Sequence, residues 1–280
     1  MNMVGDKTLD LLLEEVYRAS AYDFRGYKRG TIIRRLNRRL QATGVRTYLE
    51  YMQVLKAHPE EYQRLVDYLT ISVSSFFRST YAFQQVARLV LTELVSDKAS
   101  RGELSLSFWS TACAWGEEPY SIAILLAEFL GHRLCDFEVT IHASDISMAA
   151  LAEAQVGIYT NIEGLSGTLL NDYFTRCGEG YVVRDDIRRM VNFSYFDLVS
   201  NRTSPFMNVD CIFCRNVLIY LQKELQERVL DMLYNSLATP GYLVLGEVET
   251  PTGTLCEKLE CLDSKAKIYR KNGRVTMSKK

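Results

Sequence analysis

The stretch FWSTACAWGEEPYSIAILLAEFL (residues 108–130) joins a strand-like segment to a long apolar helix pattern. Gly116 permits tight backbone geometry at the junction, and Pro119 stands in the first helical turn, where its missing N–H is harmless. The turn contains one glycine and two acids, Glu117 and Glu118, and acids at this place repel a pyrophosphate. The junction therefore favours a nucleoside ligand without phosphates, and the alternative is that the two glutamates only cap the helix.

Strand-like segments and helical patterns alternate from about residue 80 to residue 246. The predicted strands lie at 104–110, 137–143, 189–195, 208–214 and 241–246, and the predicted helices at 80–95, 117–130, 147–155 and 222–237. This alternation predicts an α/β fold with a mostly parallel, doubly wound sheet. Residues 157–188 interrupt the rhythm with a glycine turn and a short β-like run, which predicts a small inserted β-subdomain.

The first 70 residues show only helical periodicity, in four short segments. We therefore predict a helical domain over residues 1–72 and a second domain over residues 73–280. Between Arg25 and Arg46 the chain has eight basic residues and no acid. The second helix would carry a basic face opposite an apolar one. The basic face consists of Arg34, Arg35, Arg38 and Arg39, and the apolar face of Ile32, Leu36 and Leu40.

The composition excludes several classes of protein. The chain has 280 residues, 48% of them hydrophobic, and a net charge of −1, which is typical of a globular protein and unfavourable for nucleic-acid binding. We see no signal peptide and no apolar run of membrane-spanning length, so we expect no membrane insertion. Seven cysteines without a framework fit a reducing cytoplasm. The three histidines form no metal-ligand cluster, so we expect no metal site.

A second acid lies where the second strand ends, in IHASD. Asp145 would emerge at the carboxyl end of that strand, beside the first turn, where an acid can accept both ribose hydroxyls of a nucleoside. The alternative is that Asp145 is the N-cap of the following helix. A nucleoside with a positive sulfonium describes S-adenosylmethionine, and the acidic loop suits its charge.

These motifs together resemble the chemotaxis receptor methyltransferases (CheR-type), and the resemblance covers almost the whole chain. The matching stretches are YDFRGYKRGTIIRRLNRRL, LTISVSSFFRS, WSTACAWGEEPYSIA, ASDISMAALAEAQVGIY, CIFCRNVLIYL and PGYLVLGEVE. The resemblance implies a Rossmann-like class I methyltransferase domain preceded by a small all-helical domain. It also implies methyl transfer from S-adenosylmethionine to glutamate carboxylates of chemoreceptors, leaving S-adenosylhomocysteine.

The resemblance also implies roles for individual residues. Glu118 would hold the amino-acid part of the cofactor and Asp145 its ribose. Arg78 would reach the cofactor and the incoming carboxylate, and a guanidinium can orient a carboxylate through two hydrogen bonds. Tyr220 would lie near the sulfonium methyl. The remaining implied cofactor residues are Ser72 and Ser74 in the linker, Asp197 and Leu198 beside the adenine, and Arg215 and Asn216 behind the pocket.

The same resemblance implies a function for the basic face of the second helix. Arg34, Arg35, Arg38 and Arg39 would dock on acidic helices of a methyl-accepting chemoreceptor, and the alternative is an ordinary solvated face. The inserted segment TRCGEGYVV is shorter than in relatives that bind a receptor's C-terminal pentapeptide, so we expect no such tether and a monomeric protein.

Some residues depart from the family's pattern. Ser72 and Ser74 stand where Asn and Thr are more common, and Trp115 stands where a small or hydroxyl residue is usual. The stretch LGEVE replaces the usual LGHSE. We therefore consider two functions, an active glutamate O-methyltransferase or a cofactor-binding sensory or scaffold module with weak catalysis. A nicotinamide dehydrogenase is excluded by the missing glycine fingerprint.

Overall fold

The computed structural model describes residues 3–20, 22–70, 73–200 and 203–272, with the backbone alone for residues 3–6. Contacts divide the chain into two compact units. The helical unit comprises Met1–Ile71 with two later segments, Val199–Asn201 and Tyr220–Gln226, and the α/β unit comprises Ser72–Leu198, Arg202–Ile219 and Glu227–Lys280. Tyr220–Gln226, which we predicted within the second domain, thus belongs to the first unit.

The helical unit is built from four helices, as the periodicity predicted. They are α1 (Met3–Ser20), α2 (Arg29–Thr43), α3 (Tyr48–Ala57) and α4 (Glu60–Leu69). Gly44 ends α2 in the left-handed conformation with φ 76°, where glycine has no Cβ penalty. Thr47 and Glu50 form a capping box that begins α3. Leucine and aromatic side chains from all four helices form the core, including fully buried Leu36 and Tyr51.

The α/β unit contains a seven-stranded sheet with the strand order β6-β2-β1-β7-β8-β10-β9. The strands are β1 (Ser105–Thr111), β2 (Glu138–Asp145), β6 (Val191–Tyr195), β7 (Val209–Cys214), β8 (Leu237–Leu245), β9 (Leu259–Asp263) and β10 (Ile268–Lys271). The first five strands run parallel to one another, and β10 is antiparallel to both β8 and β9. The doubly wound arrangement predicted from the sequence is present.

Helices precede β1 and lie between most of the parallel strands along the chain. They are α5 (Thr80–Gln85), α6 (Thr92–Ser100), α7 (Glu117–Leu130), α8 (Met148–Val156) and α11 (Lys223–Ser236), with a π-helical segment Val86–Leu91 and 3₁₀ turns Gly131–Asp136 and Leu218–Tyr220. Helix α7 buries nine of its residues and is the long apolar helix that opened the sequence analysis. Helix α12 (Leu255–Lys258) precedes β9.

The predicted insertion forms a separate three-stranded antiparallel sheet. It consists of β3 (Ile158–Tyr159), β4 (Phe174–Cys177) and β5 (Gly180–Val183) in the order β3-β5-β4, with the short helices α9 (Gly167–Tyr173) and α10 (Asp185–Arg188). Gly164, at φ 94°, packs against the backbone of Phe76, and a Cβ there would lie 1.9 Å from the Phe76 carbonyl oxygen. The insertion therefore contacts the linker that precedes α5.

The sequence analysis missed β9 and β10. Both strands are short, and β9 buries only Leu259 while its other residues are exposed or half-exposed. A half-exposed strand of this length has too few apolar positions to produce a clear alternation. The sheet is therefore mixed, because the antiparallel strands β10 and β9 are added beside β8 at one lateral side.

Candidate active site

The five parallel strands β6, β2, β1, β7 and β8 end at one edge of the sheet, the carboxyl edge. In open parallel sheets this is where ligands bind. Most of the residues that the sequence analysis selected lie in the loops that follow these strands, or in the linker before α5.

The loop after β1 has an unusual backbone. Ala112, Ala114 and Gly116 have positive φ values of 51°, 50° and 93°. A Cβ on Gly116 would lie 2.8 Å from the Ala154 Cβ and 2.9 Å from the Tyr159 hydroxyl, so only glycine fits there. Non-glycine residues with positive φ are costly and concentrate at functional sites. The loop conformation is held in place by its neighbours and not by local preference.

Asp145 is one of those neighbours. Its carboxylate is 6% exposed and accepts hydrogen bonds from the Ala114 amide at 2.9 Å and the Ser147 amide at 2.8 Å. Burial raises the pKa of Asp145, and the backbone hydrogen bonds oppose the rise. The N-cap of α8 is Ser147, whose side chain accepts from the Ala150 amide, so Asp145 is not the cap. The Ile146 amide is a third backbone donor to the carboxylate, which leaves about one of its roughly four acceptor sites for a further hydrogen bond.

Glu118 forms the centre of a second set of contacts. Its carboxylate accepts from the Ser110 hydroxyl at 2.8 Å and from the Arg215 guanidinium at 3.2 Å. Arg215 also donates to the Arg78 carbonyl oxygen at 2.7 Å. Burial raises the pKa of Glu118, although Arg215 opposes this. Arg215 thus connects the loop after β7, the first turn of α7 and the linker.

Two buried polar atoms near Glu118 have no hydrogen-bond partner among the described residues. They are the Nε of Arg215 and one carboxylate oxygen of Glu117. The Arg215 guanidinium carbon lies 5.5 Å from the centre of the Phe83 ring, a cation–π arrangement. Burial also raises the pKa of Glu117, and a hydrogen bond with Ser74 opposes the rise. Buried polar groups are normally paired, so unpaired ones indicate capacity for a ligand.

The linker before α5 is tied to α7. The Phe77 amide donates to the Ser121 hydroxyl at 2.9 Å, and Phe77 and Ser79 have positive φ values of 48° and 62°. Arg78 lies between them with an exposed side chain, which donates to the Val73 carbonyl at 3.2 Å. The structure therefore brings Ser74 and Arg78 to the Glu117–Glu118 turn. Ser72 lies outside the described residues.

The loop after β7 depends on a residue that sequence reasoning did not select, Glu249. Asn216 follows Arg215 with φ 62°, and its amide donates to Glu249 Oε2 at 2.9 Å. The same carboxylate accepts from the Gly246 amide at 2.7 Å and the Ile219 amide at 3.2 Å. The available signal was the acid that closes PGYLVLGEVE, in the stretch where the chain departs from the family's usual letters.

The loop after β6 contains Asp197 and Leu198. The Phe196 amide donates to the Asp145 carbonyl at 3.1 Å, which places this loop beside the end of β2. Asp197 is half-buried and Leu198 is buried. Tyr220 has a different position, because it ends the 3₁₀ turn Leu218–Tyr220, and its carbonyl accepts from the Lys28 amide of the helical unit at 2.7 Å. Among the predicted catalytic and cofactor-binding residues that the structure describes, Tyr220 alone groups with the helical unit.

The four arginines of α2 that were predicted to dock on a receptor separate into two pairs. Arg39 donates to Glu61, which is 3% exposed and also accepts from the Tyr51 hydroxyl at 2.7 Å. Arg35 donates to the Tyr68 carbonyl. Arg34 and Arg38 are exposed and have no ion-pair partner in the described part of the chain. Two of the predicted docking residues therefore stabilise the helical unit itself.

Trp115 is 37% exposed, and its carbonyl oxygen accepts from the Tyr159 hydroxyl at 2.7 Å. Its backbone therefore joins the loop after β1 to β3 of the small sheet, whereas its ring remains accessible. Within residues 3–20, 22–70, 73–200 and 203–272, no three His, Cys, Asp or Glu side chains are grouped as metal ligands require. No helix in these ranges has the length and apolar character needed to cross a bilayer.

Comparison with known proteins identifies the family. The model of the CheR methyltransferase SAM-binding domain matches residues 72–268, and the model of the CheR methyltransferase all-alpha domain matches residues 7–70. The chain belongs to the CheR methyltransferase family. It is an S-adenosylmethionine-dependent methyltransferase with the predicted class I fold, and S-adenosylmethionine is its cofactor.

Individual relatives agree with the family models. A chemotaxis protein methyltransferase of Salmonella typhimurium is 34% identical over 254 residues, covering 88% of this chain and 84% of the relative. One of Borreliella burgdorferi is 29% identical over 258 residues, covering 90% and 91%. A 104.1 kDa protein of Rhodobacter capsulatus is 32% identical over 245 residues, and the match spans 87% of this CheR-family chain but only 25% of that relative.

The residues at the carboxyl edge fit S-adenosylmethionine. Gly116 lets the β1 loop pack directly against Ala154 and Tyr159, and Asp145 retains acceptor capacity for a ribose hydroxyl. Glu117 and Glu118 supply carboxyl groups at this edge, which suit a ligand that carries a positive ammonium and a positive sulfonium. When bound, the cofactor supplies an electrophilic methyl group, and this CheR-family chain supplies binding and alignment.

Proposed function

We propose that this protein transfers methyl groups from S-adenosylmethionine to glutamate side chains of chemoreceptors, giving glutamate methyl esters in sensory adaptation. The observation that carries the proposal is the contact set of Arg215, which joins Glu118 to the Arg78 backbone inside the domain matched by the family model. Relatives named chemotaxis protein methyltransferase support the receptor as substrate.

The proposed cofactor contacts lie around the carboxyl edge. Glu118 holds the amino-acid part and Asp145 the ribose, while Asp197 and Leu198 flank the adenine. Arg215 and Asn216 close the pocket behind β7, and Ser74 contributes from the linker. Burial favours these assignments because hydrogen bonds between charged groups are stronger when water is excluded.

The chemistry requires alignment more than proton transfer. A substrate glutamate is already ionised at neutral pH, so attack of its oxygen on the methyl carbon needs no strong general base. Alignment of oxygen, methyl and sulfur can contribute up to roughly 7–11 kcal/mol. Arg78 has an exposed guanidinium that can orient the incoming carboxylate. We assign Tyr220 to positioning the methyl group.

Of the four arginines predicted to dock on a receptor, two remain available for that contact. Arg34 and Arg38 present free guanidinium groups on α2, whereas Arg35 and Arg39 are engaged within the helical unit. We further propose a monomeric, cytoplasmic protein that binds neither nucleic acid nor a receptor-tail pentapeptide. A titration with tail peptide that gave micromolar or tighter binding would refute the last point.

The test combines binding with product chemistry. Calorimetric titration with S-adenosylmethionine and S-adenosylhomocysteine should show binding by the wild type that Asp145→Ala abolishes. A receptor cytoplasmic fragment incubated with methyl-labelled cofactor should then gain label that mild base releases, because carboxyl methyl esters hydrolyse under conditions that leave N-methyl groups intact. Binding without base-labile transfer would refute the enzyme and favour the sensory module.

A further inference from the structure

Glu249 is a buried carboxylate at the carboxyl edge that is not among the proposed cofactor contacts. It is 4% exposed, and three backbone amides donate to it. Among the described residues it forms no ion pair with a Lys or Arg side chain. A buried carboxylate normally needs a cation or several donors to offset desolvation, and here the backbone amides provide that compensation.

The three amides come from two different segments. Gly246 belongs to the turn that follows β8, whereas Asn216 and Ile219 belong to the loop that follows β7. The Glu249 amide donates to the Gly246 carbonyl at 2.9 Å, which closes the turn. One side chain therefore fixes the loops of two adjacent strands relative to each other, directly beside Arg215.

Glu249 and Asn216 pack tightly against Gly246. A Cβ on Gly246 would lie 2.6 Å from Glu249 Oε2, 2.9 Å from the Asn216 amide nitrogen and 3.0 Å from the Asn216 side-chain nitrogen. Asn216 holds a left-handed φ of 62°, which surrounding contacts must stabilise. Glu249 supplies such a contact through the Asn216 amide.

We propose that Glu249 is a positioning residue that holds Asn216 in its cofactor-binding conformation. This inference rests on the proposed function and deepens it, because it explains how the loop after β7 keeps its shape before the cofactor arrives. The carboxylate itself matters, since Oε2 accepts two amides and Oε1 accepts a third. A carboxamide has a single oxygen, so its NH₂ would face an amide donor.

The test compares Glu249→Gln with a matched control, Asp210→Asn. Asp210 is 3% exposed in the same sheet and accepts from Lys98 and from the Ser107 amide, away from the carboxyl edge. Both variants change one buried carboxylate to its amide. We expect S-adenosylhomocysteine binding to weaken about tenfold in Glu249→Gln and to change less than about twofold in Asp210→Asn, measured where both are folded.

A kinetic measurement separates positioning from general destabilisation. Glu249→Gln should raise KM for S-adenosylmethionine by about the same factor and leave KM for a receptor fragment unchanged. Partial unfolding would instead reduce the active fraction and lower kcat without this difference between the two substrates.

A second variant tests the same junction if Glu249→Gln does not fold. Gly246→Ala keeps the carboxylate, but the added Cβ would overlap both Glu249 Oε2 and the Asn216 amide and displace them. It should therefore also weaken S-adenosylhomocysteine binding about tenfold. Gly167→Ala is its control, because a Cβ there meets nothing within 4 Å.

The outcomes distinguish the two proposals. Absence of S-adenosylhomocysteine binding by the wild type would overturn the proposed function itself. Wild-type binding combined with equal affinities for Glu249→Gln and Asp210→Asn, or for Gly246→Ala and Gly167→Ala, would overturn only the role of Glu249.

Discussion

The two edges of the main sheet use buried charge differently. Near the amino ends of β1 and β7, Lys98 and Asp210 form an ion pair at 2.6 Å. The Ser107 amide also donates to Asp210, and Lys98 also donates to the Ser105 carbonyl. At the carboxyl edge, Arg215 keeps an unpaired buried Nε beside Glu118. At the amino ends of the strands, which we call the amino edge, the buried charges are paired by groups of the protein itself. At the carboxyl edge a buried polar group is left for a ligand to bind, as expected at a functional site.

Removing the cation at the amino edge should produce the largest loss of stability. Lys98→Met leaves Asp210 buried without its partner, so we expect the free energy of unfolding to fall by about 3–5 kcal/mol. Chemical denaturation measures this. S-adenosylhomocysteine affinity, measured at low temperature where the variant is folded, should stay within about twofold, and a parallel loss of affinity would contradict the separation of the two edges.

Gly116→Ala should damage both stability and binding. Its Cβ would press on Ala154 and the Tyr159 hydroxyl at a φ of 93°, so we expect a loss of about 2–3 kcal/mol in unfolding free energy and at least tenfold weaker S-adenosylhomocysteine binding. Gly102→Ala is the control, since it has a φ of 72° with no atom within 4 Å of the added Cβ. It should lose only about 1–2 kcal/mol and bind normally.

Glu118→Gln should weaken S-adenosylhomocysteine binding about tenfold, because it removes the charge that faces Arg215 and the ligand's ammonium group. Glu128→Gln, in the same helix α7 but outside the proposed site, is the control. Glu128 is exposed and accepts from the Tyr173 hydroxyl, so its neutral variant should bind within about twofold of wild type. Equal losses in calorimetric titrations of the two variants would show that Glu118 has no special role.

The raised pKa values predict opposite pH responses for stability and binding. Burial raises the pKa of Glu118 above 4.5 and that of Asp145 above 3.8, so the folded protein retains these protons at a higher pH than the unfolded chain. Their contribution to the free energy of unfolding therefore falls as the pH rises from the pKa values of the unfolded chain through the higher pKa values of the folded protein. Binding needs the ionised forms, so S-adenosylhomocysteine affinity should fall as the pH is lowered from neutral towards these raised pKa values.

Calorimetric titration across that range, with denaturant unfolding of the free protein in parallel, measures both responses. Glu118→Gln should flatten the pH dependence of binding. An unchanged slope in that variant would assign the titration to another group.

The smallest effect is expected on the helical unit. Arg34→Ala combined with Arg38→Ala should raise KM for a receptor fragment several-fold at low salt, with less effect at high salt, because exposed charges act mainly through screened attraction. S-adenosylhomocysteine affinity should not change. Arg18→Ala, which alters an exposed arginine of α1, should leave KM unaffected.

The sequence predicted most of the fold because the relevant signals are local. The apolar period of residues 117–130 and the alternation of strands and helices depend on neighbours in the chain. Strands β9 and β10 were missed because they are short and half-exposed. The prediction that Asp145 and Glu118 bind the cofactor stays a prediction. The docking role predicted for Arg35 and Arg39 is restricted by their contacts with Tyr68 and Glu61.

By itself the sequence determined the family, the cofactor and the carboxyl edge as the candidate site, because strand ends and turn acids are fixed by residue order. The tertiary structure alone decided which charges are paired. Glu118 meets Arg215 and Glu249 meets Asn216 across 97 and 33 residues of chain, respectively. Such pairings depend on strand order and burial, and no local period in the sequence encodes them.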